Sequence, residues 1–259
     1  MGNIKNDSDA NFAFPHLATK NMLVASKDGN VYIYGFDKLF GAPPAATITN
    51  LGFTPNVVSV MTRSAPQIVI GGDELLLYDM ETKRRISDVL LEHAGRKCSA
   101  YSLIPDRSRP DVLYVKGLEQ AFLVDLRLNS KASVRSFAPS KESHLYSLVV
   151  ADYGAYDKLL LTHRSQMSLF DIRSGKVLKQ VDGNYGPAAN YGSTLCMGTY
   201  DAGIEYFDIE SLTEKPLAKT ENGSGSSPST HCVGANWKGA YRKVDSRLYF
   251  YSFKGTKLV

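Results

Sequence analysis

Cysteine, tryptophan and long apolar runs are scarce in this chain of 259 residues, which has three cysteines and a single tryptophan. Cys98, Cys196 and Cys232 are widely separated and odd in number. They form neither a CxxC pair nor the disulfide framework of a small secreted protein. No apolar run approaches the length of a membrane span or has the form of a signal-peptide core. These absences favour a reducing, cytoplasmic or nuclear setting.

Concentrated charge is absent as well. The chain has 30 Lys and Arg against 26 Asp and Glu, a net charge of +4 that is spread along its length. The densest basic run, Lys83-Arg84-Arg85, is only three residues long. Because nucleic-acid-binding domains usually concentrate Lys and Arg on one stretch or face, the sequence does not indicate a nucleic-acid partner.

The sequence also lacks the usual catalytic patterns. No His, Cys and Asp cluster has the spacing of a metal site, and no G-x-S-x-G, P-loop, G-x-G-x-x-G or H-E-x-x-H occurs. The glycine-containing stretches 71–73 and 223–225 are typical of turns rather than of phosphate-binding loops. We therefore expect no enzyme, no cofactor and no metal.

What the chain does contain is a run of short predicted strands. Residues 145–181 hold four of them, separated by polar turns, and none has the apolar spacing of a helix. Ser174-Gly175 joins the last two, and Gly supplies the positive φ that a tight turn requires. A lone four-stranded meander leaves two open edges and cannot bury both faces, so it needs neighbours of the same kind.

The third strand of this unit ends in an aromatic residue followed by Asp, and that pair recurs along the chain. The copies are Tyr78-Asp79, Val124-Asp125, Phe170-Asp171 and Phe207-Asp208, with looser copies at residues 34–37 and 251–252. The first three aspartates are 46 residues apart and the fourth follows after 37. Four strands per unit and a period of about 40–45 residues are typical of propeller blades.

Over nearly its whole length the chain resembles the WD-repeat family. The resemblance implies an all-β fold, a β-propeller of about six four-stranded WD-repeat-like blades. It would form a single domain over residues 11–259, after a disordered segment at 1–10. The chain departs from the family in that no copy has the Trp; Tyr, Phe or Val stands there instead. The sequence leaves two ways of completing the ring. In one the N-terminal segment pairs into the last blade; in the other the ring is open and a partner's strand completes it.

The resemblance also implies a structural histidine. WD-repeat proteins carry a His near the first strand of a blade that hydrogen-bonds toward the turn Asp. His144 lies 27 residues before Asp171, which is within the family's usual spacing. We expect a structural role for His144.

Two consecutive repeats share an Asp-x-Arg pattern, Asp125-Leu126-Arg127 and Asp171-Ile172-Arg173. This is similar to the double DxR box of WD-repeat substrate receptors of cullin-4 ubiquitin ligases, whose paired arginines help dock the propeller onto the ligase's adaptor. The resemblance implies that Arg127 and Arg173 lie close together and contact such an adaptor, with Asp125 and Asp171 holding the turns. In the simpler interpretation each Arg only pairs with a nearby acid or with solvent.

Loop tyrosines provide a further set of expected contacts. Tyrosine is a frequent interface anchor, although any one of these could instead pack over the core. The exposed rim contacts predicted in this way are Tyr153, Tyr156, Tyr185 and Tyr200.

The function expected from these patterns is a non-catalytic protein-interaction scaffold that works as a monomer within a larger complex. The alternative is a substrate receptor of a cullin-4 ligase. A propeller enzyme or a phosphoinositide binder is the third class. Phosphoinositide-binding propellers use a Phe-Arg-Arg-Gly motif on a late blade, whereas Arg84-Arg85 lies between Lys83 and Ile86 in the second repeat.

Overall fold

The structure is a computed structural model whose described residues cover most of the chain. They are residues 10–38, 43–61, 66–106, 108–127, 134–139, 144–151, 158–183, 185–191, 193–198, 204–212, 216–219, 232–236, 239–244 and 247–252. The chain divides into two compact units, Met1–Ser136 and Phe137–Val259. The expected single domain over residues 11–259 stays a prediction.

The first unit is built from three consecutive antiparallel sheets, each with its strands side by side in chain order. The boundary between the units falls within the last strand of the third sheet. The strands of the first sheet are β1 (Ala10–His16), β2 (Asn21–Ser26), β3 (Val31–Gly35) and β4 (Ala46–Ile48); those of the second are β5 (Val57–Met61), β6 (Gln67–Gly71), β7 (Leu75–Asp79) and β8 (Arg85–Val89). A two-stranded hairpin, β9 (Glu92–His93) and β10 (Arg96–Lys97), precedes the third sheet, which contains β11 (Ser102–Pro105), β12 (Val112–Lys116), β13 (Ala121–Asp125) and β14 (Val134–Phe137).

The second unit repeats the plan. The described residues form two four-stranded sheets and a three-stranded one, again in chain order. The fourth sheet has β15 (Leu145–Ala151), β16 (Lys158–His163), β17 (Gln166–Asp171) and β18 (Val177–Asp182); the fifth has β19 (Ala188–Tyr191), β20 (Thr194–Gly198), β21 (Ile204–Asp208) and β22 (Ala218–Lys219); the sixth has β23 (Cys232–Asn236), β24 (Gly239–Val244) and β25 (Arg247–Ser252).

Within each unit the first strand of one sheet lies against the first strand of the next. In the first unit β5 lies against both β1 and β11, and in the second unit β19 lies against both β15 and β23. The chain is therefore all-β, a succession of small antiparallel meanders that stack through their leading strands.

The second sheet shows why these strands are so apolar. Val57 and Met61 on one face of β5 pack into a cluster with the third sheet, whereas Val58 and Val60 on the other face pack with the first sheet. All five residues of β5 are buried, but β8, at the outer edge, is largely exposed. The inner strands of this sheet are buried almost throughout because both of its faces are covered.

The strands predicted from the sequence are largely confirmed. The four strands predicted at residues 145–181 correspond to β15, β16, β17 and β18. The turn between β2 and β3 has Gly29 at a φ of 83°. The hairpin of β9 and β10 was not predicted; Ala94 and Gly95 form its turn at φ values of 49° and 77°.

Residues 1–9 and 253–259 lie outside the described residues. Ala10, expected to be disordered, begins β1, which pairs with β2 inside the first sheet.

Two asparagines tie neighbouring sheets of the first unit together. Asn11 Nδ2 donates to the carbonyl of Pro55 at 3.0 Å, and Asn56 Nδ2 donates to the carbonyl of Ala100 at 3.2 Å. Both donors and both acceptors are 45 residues apart, so the same bond is made twice at the period of the repeat. In each case the acceptor is a carbonyl that lies just before the first strand of a sheet, where the strand ladder offers it no N–H donor.

Replacement of Asn56 by Ala should therefore lower stability. A side-chain hydrogen bond to a partly buried carbonyl contributes roughly 1 kcal/mol to the free energy of unfolding. We expect Asn56→Ala to lose about that much in urea unfolding, and Glu81→Ala, which truncates an exposed side chain, to unfold like wild type. An Asn56→Ala curve that overlays wild type would show that this bond does not hold the sheets together.

Candidate functional site

The candidate site is the turn that follows the third strand of a sheet, where the repeated Asp lies. Four such turns are described, beginning at Asp79, Asp125, Asp171 and Asp208. In each one the Asp is half-buried, the next residue is buried and the residue after that is exposed.

Each of these aspartates braces its own turn. The Asp79 carboxylate accepts the N–H groups of Glu81 at 3.0 Å and Thr82 at 2.7 Å, together with the Thr82 hydroxyl at 2.9 Å. The Asp79 carbonyl then accepts the N–H of Lys83, which has a φ of 60°. Hydrogen bonds from Thr82 hold the pKa of Asp79 below its usual value.

The turns at Asp171 and Asp208 repeat this geometry. Asp171 accepts the N–H of Ser174 at 2.6 Å, and Asp208 accepts those of Glu210 and Ser211 at 3.3 and 3.2 Å. Four residues after each Asp the φ is again positive, 72° at Gly175 and 34° at Leu212. The sequence prediction of a positive φ at Gly175 is confirmed.

The residue after the Asp is anchored in the core. These residues are Met80, Leu126, Ile172 and Ile209, which are between 1% and 6% exposed. In three of the turns the N–H of this residue donates to the carbonyl that precedes the second strand, at 2.8 to 3.1 Å; the carbonyls belong to Pro66, Asp111 and Ser193. The turn is thus fixed on both sides of the position that faces outward.

Arg127 occupies that outward position in the third sheet. Its side chain is 65% exposed, and its guanidinium forms a fork on Asp125, with Nε 2.9 Å from Oδ1 and an Nη 2.5 Å from Oδ2. The Arg127 N–H also donates to Asp125 at 3.0 Å. Asp125 therefore braces its turn, as the resemblance implied, and also holds the arginine it precedes.

Arg173 occupies the same position in the fourth sheet and is also exposed. Its N–H and its charge add to the effect of Ser174, the main cause, in lowering the pKa of Asp171. Arg127 and Arg173 belong to different units, so their closeness stays a prediction. Such planar forks can bind carboxylates or backbone carbonyls of a partner.

The rim tyrosines give one correction. Tyr185 is 5% exposed; its ring stacks edge-on against Phe207 with 6.3 Å between centroids, and its hydroxyl donates to the Asp182 carbonyl. The expectation of an exposed contact is wrong here because the fifth sheet covers the ring. Tyr153, Tyr156 and Tyr200 lie outside the described residues.

His144 is placed differently from the expected structural histidine. Its side chain is exposed, its ring centroid lies 6.5 Å from that of Tyr146, and among the described residues no hydrogen bond links it to Asp171. His163, at the end of β16, is fully buried. His93 is half-buried, with Nδ1 3.0 Å from the Ser136 hydroxyl.

A second charged cluster, around Asp106, was missed in the sequence. Asp106 accepts two hydrogen bonds from the Arg109 side chain, at 2.6 and 3.0 Å, and one from the Tyr114 hydroxyl at 2.9 Å. Ser108 and the Arg109 N–H complete the set. Despite partial burial, these bonds lower the pKa of Asp106 to about 2. Both carboxylate oxygens of Asp106 accept hydrogen bonds from this loop and β12, so the cluster anchors the loop before β12.

Two searches of the described residues bear on other kinds of site. They contain no group of three or more His, Cys, Asp and Glu side chains able to hold a metal ion. In the same part of the chain, no helix has the length and apolar character to cross a membrane.

The comparisons with known proteins add no family. A scan against protein-family models finds no match, and a search of curated proteins finds none either.

The Asp106 cluster gives a pH-dependent prediction. A carboxyl with a folded pKa near 2 and an unfolded pKa near 3.8 stabilises the fold above about pH 4, and this stabilisation is lost as the pH falls toward 2. We expect Asp106→Asn to lower the free energy of unfolding by about 1 kcal/mol at pH 7, after allowance for solvent screening. Urea unfolding from pH 7 to 3 should show this deficit shrinking below pH 4. A constant deficit, or an equal one for the exposed Asp88→Asn, would contradict it.

The turns give a second prediction, which distinguishes the residue that stabilises the turn, Asp125, from the residue exposed on it, Arg127. Asp125→Ala removes the brace of a backbone N–H and should lower the thermal midpoint clearly. Arg127→Ala removes an exposed side chain and should leave the midpoint unchanged within error. Thermal unfolding followed by circular dichroism measures both. If Arg127→Ala destabilised as much as Asp125→Ala, the arginine would be part of the brace.

Proposed function

We propose that the chain is a non-catalytic protein-interaction scaffold, a β-propeller of about six WD-repeat-like blades. The observation that carries the proposal is the succession of antiparallel meanders with leading strands stacked within each unit. In the described residues five of the six main sheets have four strands, as propeller blades do. Stacking of this kind buries both faces of a small sheet, which a blade requires.

The turns after the third strands support a scaffold role. The same brace presents Glu81, Arg127, Arg173 and Glu210 at one outward position. Because the backbone is held by the Asp and the buried residue beside it, this position can change its charge without changing the fold. Rigid frames with variable outward side chains are suited to recognising other proteins.

The second candidate is a substrate receptor of a cullin-4 ubiquitin ligase, docked through Arg127 and Arg173. It is favoured by the exposure of both arginines at equivalent turn positions. The fork of Arg127 on Asp125 does not oppose it, since an exposed ion pair contributes little to stability and can be shared with or exchanged for a partner's groups.

The partners proposed are other proteins, and the chain would act as a monomer within a larger complex in the cytoplasm or nucleus. A ligase adaptor and its substrates are the partners of the receptor alternative. A propeller enzyme and a phosphoinositide binder remain the third class of proposal, without an observation in the described residues that favours either.

Affinity purification from cell extract with mass spectrometry tests the two candidates. The baits are wild type, the Arg127→Ala/Arg173→Ala double variant and the matched control Glu81→Ala/Glu210→Ala, which truncates the same position in two other sheets. If the chain is a receptor, wild type and the control variant should recover a cullin-ligase adaptor. The arginine variant should then recover at least about tenfold less of that adaptor than wild type. Such a loss equals about 1.4 kcal/mol of binding free energy.

The outcomes are distinct. Reproducible recovery of other proteins by all three baits would support the scaffold and remove the receptor alternative. Recovery of no protein above background by any folded bait would contradict both.

A further inference from the structure

The outer strand of the fourth sheet, β18, offers an open edge. It is six residues long and pairs along one side with β17; among the described residues no strand pairs with its other side. An unpaired strand edge presents a row of N–H and carbonyl groups that an extended chain can bond to.

The beginning of β18 is apolar and exposed. Val177 is 45% exposed and Leu178 is 51% exposed. Val177 pairs with Phe170 and Lys179 with Leu169, so Leu178 is the extra residue of a β-bulge and has no partner opposite it. Of the six residues of β18, Val181 is buried in the core and the other five, Val177 and Leu178 among them, are exposed.

The charge along this edge is mainly positive. Lys176 and Lys179 are both exposed, and Asp182, at the far end, is the acidic residue of the strand. Lys179 Nζ donates to the carbonyl of Ser211 at 2.5 Å, a neutral acceptor. A second copy of β18 paired about Lys179, in either direction, would place the two Lys179 side chains together, which disfavours that pairing.

The second sheet contains the same local structure with different charges beside it. Ile86 is the extra residue of the bulge in β8 and is 50% exposed. The neighbouring Arg85, however, lies 3.2 Å from Asp88 and 3.9 Å from Glu74. The charge of Arg85 is therefore balanced within the sheet, and Arg85 stands where β18 has the apolar Val177. Arg84, at the position of Lys176, is exposed, so β8 is a control for the paired apolar residues of β18 and for Lys179.

We propose that the edge of β18 binds an extended acidic segment of a partner protein, with an aliphatic residue seated on Val177 and Leu178. The segment adds a fifth strand to the sheet, its backbone bonding to the open edge and its carboxylates facing Lys176 and Lys179. The inference rests on the proposed scaffold function, for which it supplies a site and a class of partner.

Fluorescence anisotropy with the purified chain of 259 residues tests the proposal. The probe is a labelled nine-residue peptide of alternating Glu and Val. Wild type should bind it with a Kd of about 10–100 μM, a range typical of short strand-adding peptides rather than of full interfaces. Leu178→Ser and Lys176→Glu/Lys179→Glu should each weaken binding at least about fivefold, and Ile86→Ser should stay within twofold of wild type.

Two peptide controls address the mode of binding. The same peptide with alternate backbone nitrogens methylated should lose binding, because methylation removes the donors that a new strand needs. A peptide of alternating Lys and Val should not bind.

Several results would overturn the proposal. They are a lack of wild-type binding at 1 mM peptide, equal binding of the Lys and Val peptide, and equal loss in Ile86→Ser. Concentration-dependent dimerisation that Leu178→Ser abolishes would also overturn it, in favour of a second copy of the chain. Because the peptide assay uses pure protein, its failure leaves the purification from extract free to support or contradict the scaffold by itself.

Discussion

The constraint on which the rest of the structure depends is that inner strands such as β5, β6 and β7 carry apolar side chains on both faces. In β5, Val57 and Val58 point in opposite directions and enter two different hydrophobic clusters. Each buried Val or Leu of this kind contributes roughly 1.5–3 kcal/mol, which is gained only when a neighbouring sheet covers it. A single sheet of this chain would leave half of that surface in water. Stacking of successive sheets follows from this requirement.

The second requirement is that the chain reverse direction after each third strand without disturbing the stack. The repeated Asp meets it by accepting the N–H groups of the turn, while the next residue, such as Ile172 or Ile209, is held in the core. The two residues that precede the outward position are therefore required for the turn and the core. That position alone is left to vary, which is why it can carry Glu in one sheet and Arg in another.

The strands and the turn aspartates could be predicted because each depends on local sequence: apolar runs, Gly at a positive φ, and a pair that recurs after 46 residues. The covering of both sheet faces could not be predicted, because the apolar run at residues 75–78 does not indicate which residues pack against it. Tyr185 was expected in an exposed loop and is covered by Phe207, a residue of another strand. The braces of Asn11 and Asn56 had a signal, their 45-residue spacing, but asparagine is common in turns and the period alone does not identify its acceptor.

The division between buried inner strands and open outer ones also determines where recognition can occur. Residues of β5, β6 and β7 are needed on both faces to hold the stack, so a partner can reach the sheets mainly at the outer strands and the turns. There the local structure repeats but the chemistry does not: the bulges of β8 and β18 expose Ile86 and Leu178 to a similar extent, beside a balanced ion pair in one case and unbalanced lysines in the other. A repeat architecture keeps the geometry of such positions constant, and specificity then resides in the few side chains that the stack does not require.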